Sequence, residues 1–386
     1  MTTRTGGARG AAMLAVGVMV GVSSAGAQSI FDSELRLAPQ FVQYRIKAPA
    51  NETISELAIP IFVSMPLSQR FTIDIGTSYA RARITSDAGT SALDGLTDTQ
   101  LRGNYTLGND NVVLTAGLNL PTGNSSVTLE QFAASSRIGS DFLAFPISNM
   151  GTGFAATGGI AVARPLGDWN IGAGAAVRRS TAYEPFNIAN QSFSYQPGNE
   201  YRGRIGADRT VGAGRLALGL TYSTFGADNA GGTRFSTGDR IITQTSYSTT
   251  VSGNDVVVGA YDVFRTSGYY ASGTVSGREN ILNAFGSVGL HPNGVLVEPT
   301  LEVRHWQQSI PEFTSGSTVT PGRGQSSYLG TVGVRTRLEV AGVSVFPGAG
   351  FTLGSVATFD AAGLPAQAGL TGFRAQLAMR ATPFGQ

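Results

Sequence analysis

Hydrophobic and polar positions alternate with a period of two along most of this chain. Between Arg215 and Thr224, Leu216, Leu218, Leu220 and Tyr222 share one face, and Arg215, Ala217, Gly219, Thr221 and Ser223 share the other. Val112, Leu114, Ala116, Leu118 and Leu120 alternate in the same way with Val113, Thr115, Gly117 and Asn119. Near the end, Ala375, Leu377, Met379 and Ala381 alternate with Arg374, Gln376, Ala378 and Arg380. Successive side chains of a strand point to opposite faces, so each segment carries one apolar and one polar or small face. A soluble sandwich gives the same alternation, but from strands of about 5–6 residues, whereas a membrane strand needs about 9–11. The apolar faces here run unbroken for four or five positions, which predicts strands of the longer kind.

The punctuation points the same way. Tight turn signals recur at Pro66–Gln69, Gly108–Asp110, Pro165–Asp168, Val211–Gly214, Ser252–Asp255, His291–Gly294 and Val340–Gly342. Between them lie longer polar stretches near 84–95, 121–150, 182–198, 226–236, 268–277, 309–325 and 356–367. Alternating short and long connections are the habit of outer-membrane barrels, with short periplasmic turns and long outer loops. The expected fold is therefore all-β, a transmembrane antiparallel β-barrel of about sixteen strands, with twelve to fourteen if some segments are loop or bulge. Pro39, Pro60, Pro299 and Pro347 fall within strand-like runs, where a missing donor predicts bulges or weak pairing. Trp169 and Trp306 are expected at the two membrane interfaces. Phe384, near the end of the last strand, resembles the terminal aromatic of such barrels, although Gly385 and Gln386 follow it.

Composition narrows the compartment. Arg4 and Arg9 precede an apolar run from Ala11 to Val22 and an Ala25-Gly26-Ala27 cleavage site, so residues 1–27 are expected to be a secretory signal and 28–386 the barrel. The run is too short for a spanning helix, which takes about 20 residues. Charged residues make up only 13% of the chain and glycines number 52, a poor fit to soluble domains, which carry about 25% charge. There is no cysteine, which excludes disulfides, thiol nucleophiles and thiolate metal sites. Removing Arg4 and Arg9 leaves 25 basic residues against 25 acidic ones, so no nucleic-acid surface is indicated. The cations are arginines except for Lys47. The expected location is the outer membrane of a Gram-negative-type cell, with its lipid as one partner and small solutes as another. A homo-oligomer is compatible with such a barrel, but no residue pattern selects one.

If the apolar face meets lipid, the other face lines the interior. That places Arg36 on the first strand, Arg102 on the fourth, Arg178 on the seventh, Arg202 and Arg204 with Glu200 and Asp208 on the eighth, and Arg240 on the tenth. Glu298, Glu302 and Arg304 fall on the thirteenth, Arg335 and Arg337 on the fourteenth, and Arg374 and Arg380 on the last. Arginine at mid-depth in lipid costs about 2–4 kcal/mol, so these residues face water or one another. They are candidate pore-lining residues of a passive channel. The competing account is a packed Arg–Glu ladder inside a structural or adhesive barrel, which the mixed signs on the eighth and thirteenth strands favour. Arg335, Arg337, Arg374 and Arg380 lack an alternating carboxylate and are the better pore candidates, with Glu339 a partial neutraliser. Inward Gly172, Gly174, Ala176, Gly348, Gly350 and Gly354 leave space, or else serve wall curvature or aromatic packing across strands. The stretch 121–150 is apolar for an exposed loop, at Leu129–Ala134 and Asp141–Pro146, and is expected to fold inward and narrow the pore.

Catalytic chemistry is sparse. Of two histidines, His291 sits in a turn signal, and His305 could meet a serine on a neighbouring strand such as Ser327, although no motif fixes the pair. No phosphate loop or metal spacing occurs, and no cofactor is expected.

Leu118-Asn119-Leu120-Pro121-Thr122-Gly123-Asn124, followed by Gly151-Thr152-Gly153-Phe154, resembles the outer-membrane barrel family named for a meta-pathway of phenol degradation. The resemblance covers roughly residues 112–165 and implies a passive porin-like channel for small or aromatic molecules. The N-terminal plug of related fatty-acid transporters has no counterpart here, because Phe31 to Ile46 leads almost directly into a strand.

Overall fold

The computed structural model describes residues 33–108, 110–188, 191–269, 277–310, 313–315, 318–320, 323–359 and 365–381. The expected signal segment and Phe384 lie outside these residues. The chain forms a closed antiparallel barrel of sixteen strands. The main sheet has 18 segments because two of its strands are each interrupted once.

Strand β1 comprises Glu34–Leu37 and Gln40–Ile46, β2 is Glu52–Pro66, β3 is Phe71–Ser86, and β4 comprises Gly89–Leu96 and Thr99–Leu107. Then come β5 (Val112–Leu120), β6 (Ala155–Leu166), β7 (Trp169–Ser180), β8 (Glu200–Val211) and β9 (Gly214–Phe225). β10 (Arg240–Val251), β11 (Asn254–Arg265), β12 (Glu279–Gly289) and β13 (Leu296–Ile310) follow. The longest strands come last: β14 (Arg323–Val340), β15 (Val343–Phe359) and β16 (Pro365–Ala381). Each strand pairs with the next, and β16 closes on β1 from Gln40↔Gln376 to Ile46↔Leu370.

Closure removes every unpaired sheet edge, as a wall in hydrocarbon requires. The outward face is an apolar belt. Ile160, Ile205, Leu218, Val258, Leu301, Val332 and Phe351 are all exposed on it. Trp169 takes its expected place beside a short turn, with the Arg209 guanidinium 5.2 Å from its ring. A barrel with this belt spans the outer membrane.

All four prolines face gaps in the ladder. Pro39 separates the two parts of β1, and Pro60 stands across from that gap. The β12–β13 pairing skips Pro299, and the β14–β15 pairing skips Pro347.

The stretch 84–95 is not a loop, contrary to expectation. It completes β3 and starts β4, joined by a turn at 87–88. The alternation is inverted there: apolar Ala80, Ala82, Ile84 and Leu93 point inward and are buried, while Arg81, Arg83 and Asp94 point outward. The long outer connections also carry structure. Val127–Thr128, Tyr183–Ile188, Gln191–Gln196, Asp228–Ala230 and Thr233–Phe235 form a separate five-stranded sheet.

Candidate pore and its inward loop

Two residues between the halves of β4 organise the interior. There Asp98 turns inward and is buried. Its carboxylate accepts hydrogen bonds from the backbone N–H of Gly123 (3.1 Å) and Thr152 (2.7 Å) and from Asn119 Nδ2 (2.8 Å). Gly123 and Thr152 are the two ends of the longest loop, so one carboxylate ties its root. Asn119 Nδ2 also donates to the Gly153 carbonyl (2.7 Å), and Thr122 Oγ1 accepts from the Thr99 N–H (2.8 Å). The glycines are required by close approach: a Cβ on Gly123 would lie 2.1 Å from the Met150 carbonyl oxygen. Gly153, at φ +76°, holds a backbone conformation that side-chain-bearing residues rarely adopt, and a Cβ there would crowd Tyr183 Cβ at 3.0 Å. The Pro-Thr-Gly and Gly-Thr-Gly signals are thus the two halves of one joint.

From this root the loop enters the barrel, as its apolar composition led us to expect. It carries a short helix α1 (Phe132–Ile138), whose Ala134 and Ile138 are buried with inward Ile54, Ala82 and Leu93. The Ser91 hydroxyl accepts the Ala134 N–H (3.2 Å). Arg137 pairs with Glu52 of β2 (2.9 Å), and Glu56 of β2, fully buried, accepts the Ile147 N–H (2.8 Å). Tyr44 of β1 donates to the Leu143 carbonyl (3.2 Å) and meets Phe145 edge to face, with centroids 5.4 Å apart. Across the lumen, Arg304 of β13 donates to the Phe142 carbonyl (2.8 Å), and Asp141 pairs with Arg265 of β11 (3.0 Å) and Arg240 of β10 (3.5 Å). The loop thus packs on the β1–β4 wall and reaches the β10–β13 wall. Among the described residues, the hydrogen bonds and ion pairs of its inner part fall on those two walls.

Trp306 is not interfacial, contrary to expectation. It points inward, meets Phe142 at a tilt with centroids 6.1 Å apart, and donates to Glu279 (2.7 Å). The docked loop gives an inward indole an apolar contact, and Glu279 of β12 gives it an acceptor, neither of which sequence alternation alone can show.

The register places all thirteen candidate residues on the inward face, but their pairing differs from expectation. Arg335 pairs with Glu298 of β13 (2.6 Å), Arg374 with Glu302 (3.0 Å), Arg380 with Glu34 (2.8 Å), and Arg337 with Glu339 (2.7 Å). The expected lack of acidic partners on the last strands is therefore overturned, because three of the four carboxylates come from other strands, Glu302 from across the lumen-facing side of β14 and β15. Glu302 also holds Arg304 (2.6 Å), Arg202 pairs with Glu200 (2.6 Å), and Arg36 pairs with Glu34. Arg102 and Arg178 have no ion pair among the described residues. Arg204, Arg202 and Arg178 share the β7–β8 wall with small Gly172, Gly174 and Ala176. Gly348 and Gly350 instead accommodate the side chains of Gln376 and Arg374, at 3.1 Å from a would-be Cβ, so they serve packing rather than free space.

Many inward cations keep water contact. The side chains of Arg202, Arg380 and Arg215 are 54%, 55% and 64% exposed, whereas Arg304 beneath the loop is 10% exposed. His305 and Ser327 cannot act together: His305 stands opposite Tyr328 on the outward face, and Ser327 is buried opposite inward Trp306. Sequence reading missed Asp98, Glu52, Glu56, Tyr44 and Asp141. The legible signal was an Asp beside an isolated Thr-Asp-Thr break in an otherwise regular strand.

No protein-family model matches the chain, and no curated protein matches it. Among solved structures it is similar to OccK11 of Pseudomonas aeruginosa, with 10% identity over 90% of this chain and 95% of that one and a TM-score of 0.45. It is also similar to an anion-selective porin from Comamonas acidovorans, with 12% identity over 90% and 99% and a TM-score of 0.42. A third is an outer membrane channel from Pseudomonas putida F1, with 13% identity over 95% and 99% and a TM-score of 0.37. The likeness is one of barrel architecture.

Proposed function

We propose that the chain is a passive outer-membrane channel for small anionic solutes, narrowed by the loop between Gly123 and Thr152. The observation that carries this reading is the water contact kept by inward arginines away from the loop, with Arg202 54% exposed. A filled barrel would bury them as it buries Arg304. Sixteen strands enclose an aqueous channel unless something fills it. This reading assigns the passage to the β6–β9 side of the lumen, where Arg178 stands opposite Glu200 and Arg202 and Arg204 share the same inward face. Fixed guanidinium groups in a narrow aqueous passage favour anions and offer carboxylates two donors at once. The kinship with the meta-pathway barrels belongs to this reading and rests on the loop-root motif.

The ladder of Arg–Glu pairs on β13–β16 supports the competing account of a plugged structural barrel. Single-channel recording of the refolded protein in a planar bilayer separates the two. The channel reading expects stable open steps and an anion preference that falls several-fold in Arg178→Ala/Arg202→Ala/Arg204→Ala. A folded, heat-modifiable barrel that never conducts would leave the plugged account standing.

A further inference from the structure

The outward face of the outer barrel end carries a cationic patch that the channel does not use. Arg45 and Lys47 at the end of β1 and Arg81 and Arg83 on β3 are all exposed. The register aligns Arg45 with Thr53 and Thr85, and Gln43 with Ser55 and Arg83, so these side chains share the outward surface of three adjacent strands. Their inward neighbours Val42, Tyr44, Ile46, Ala82 and Ile84 are buried, so the cations are excluded from the lumen. Among the described residues, none of the four has a carboxylate within ion-pair distance, although Asp94 stands opposite Arg81.

Depth identifies what they meet. From Phe71 at the short-turn end of β3 to Arg81 the chain advances ten residues. At about 3.3 Å per residue and a tilt of about 40°, that climbs about 25 Å, the height of the apolar belt. Arg81 therefore lies at the outer rim of the hydrocarbon, with Arg83, Arg45 and Lys47 above it in the headgroup layer. A second feature adjoins the patch. A groove of about 460 Å³ runs along the lipid-facing wall, lined by Val303, Tyr328, Gly330, Leu353, Gly369 and Thr371, with Lys47 at one end. Its floor is low because Gly330 and Gly369 have no side chain, and the Lys47 aliphatic stem lies over Gly369, 3.6 Å from where a Cβ would sit.

We propose that this surface binds a phosphate-bearing glycolipid of the outer leaflet, its phosphates held by Arg45, Lys47, Arg81 and Arg83 and an acyl chain seated in the groove. Charge complementarity selects an anionic headgroup, and the apolar groove selects a lipid over a free phosphate. The proposal rests on the membrane-spanning fold and is independent of the channel reading.

The test is native mass spectrometry of the full barrel in neutral detergent, titrated with bis-phosphorylated lipid A and with its dephosphorylated form. The wild type is expected to bind the phosphorylated lipid at least tenfold more tightly. Arg45→Gln/Lys47→Gln/Arg81→Gln/Arg83→Gln should abolish that difference, and Gly369→Leu, which fills the groove, should weaken both forms. Heat-modifiable migration of each variant shows that it has folded, and unchanged conductance of the glutamine variant separates this surface from the lumen. Equal binding of the two lipid forms by the wild type, or undiminished phosphate preference in the glutamine variant, would overturn the headgroup site. Undiminished binding by Gly369→Leu would overturn the groove.

Discussion

At the scale of single residues, Asp98 decides whether the loop is docked. It is buried and accepts from three donors, two of them backbone groups at opposite ends of the same loop. Hydrogen bonds to a charged group contribute about 1.5–3 kcal/mol each, and stranded buried donors cost comparably. Asp98→Ala is therefore expected to free the loop root, lowering the urea midpoint and adding large, noisy conductance steps. Gly123→Ala should give the same result by a different route, because its Cβ would collide with the Met150 carbonyl at 2.1 Å. Gly158→Ala is the matched control, since a Cβ there meets nothing within 4 Å. A Gly123→Ala variant with wild-type midpoint and wild-type current would contradict the assigned joint. The glycines themselves were legible as turn residues. Their common function was not, because the pairing of Gly123 with Thr152 passes through Asp98, which is distant from Thr152 in sequence.

At the scale of elements, strands and loop differ in how far sequence reveals them. The β9 and β16 faces read correctly because lipid and lumen alternate at every position, and the period of two is then a direct image of the environment. The segment 84–95 read as loop because the environment there changes. Above the hydrocarbon the outward side is polar, and α1 gives the inward side an apolar partner, so Ile84 and Leu93 turn in and Arg81 and Arg83 turn out. The same docking claims Trp306. Inward folding of 121–150 was foreseeable from its apolar residues, but its anchors Tyr44, Glu56 and Arg304 lie on other strands and needed the closed barrel to be seen. Replacing residues 125–148 with a short Gly-Ser linker is expected to raise unit conductance several-fold while the belt still supports a heat-modifiable barrel. Unchanged conductance in that variant would mean the loop does not bound the pathway.

At the scale of the whole molecule, the sixteen strands act as a wall with two solvents, and the sharpest consequence is that neighbouring positions tolerate charge oppositely. Leu218 of β9 is 42% exposed on the apolar belt, five residues beyond the turn at 212–213, which places it near the mid-depth of a belt about 25 Å tall. Ala217 faces the lumen beside Asp208, its register partner on β8. Leu218→Arg is therefore expected to destabilise the folded barrel by about 2–4 kcal/mol in lipid. Ala217→Arg, one residue away, gains water and would share the Asp208 carboxylate with Arg215, its present partner at 2.8 Å, and should change stability little. The comparison is read from equilibrium unfolding of both variants in phospholipid vesicles. It does not depend on whether the lumen conducts, because a plugged interior lined by Asp208 would still accept the cation better than hydrocarbon. Equal penalties at the two positions would mean that β9 is turned differently from its neighbours. The outward assignments of Leu216, Leu220 and Tyr222 would then fall with it, since a strand that slips by one residue exchanges both faces together.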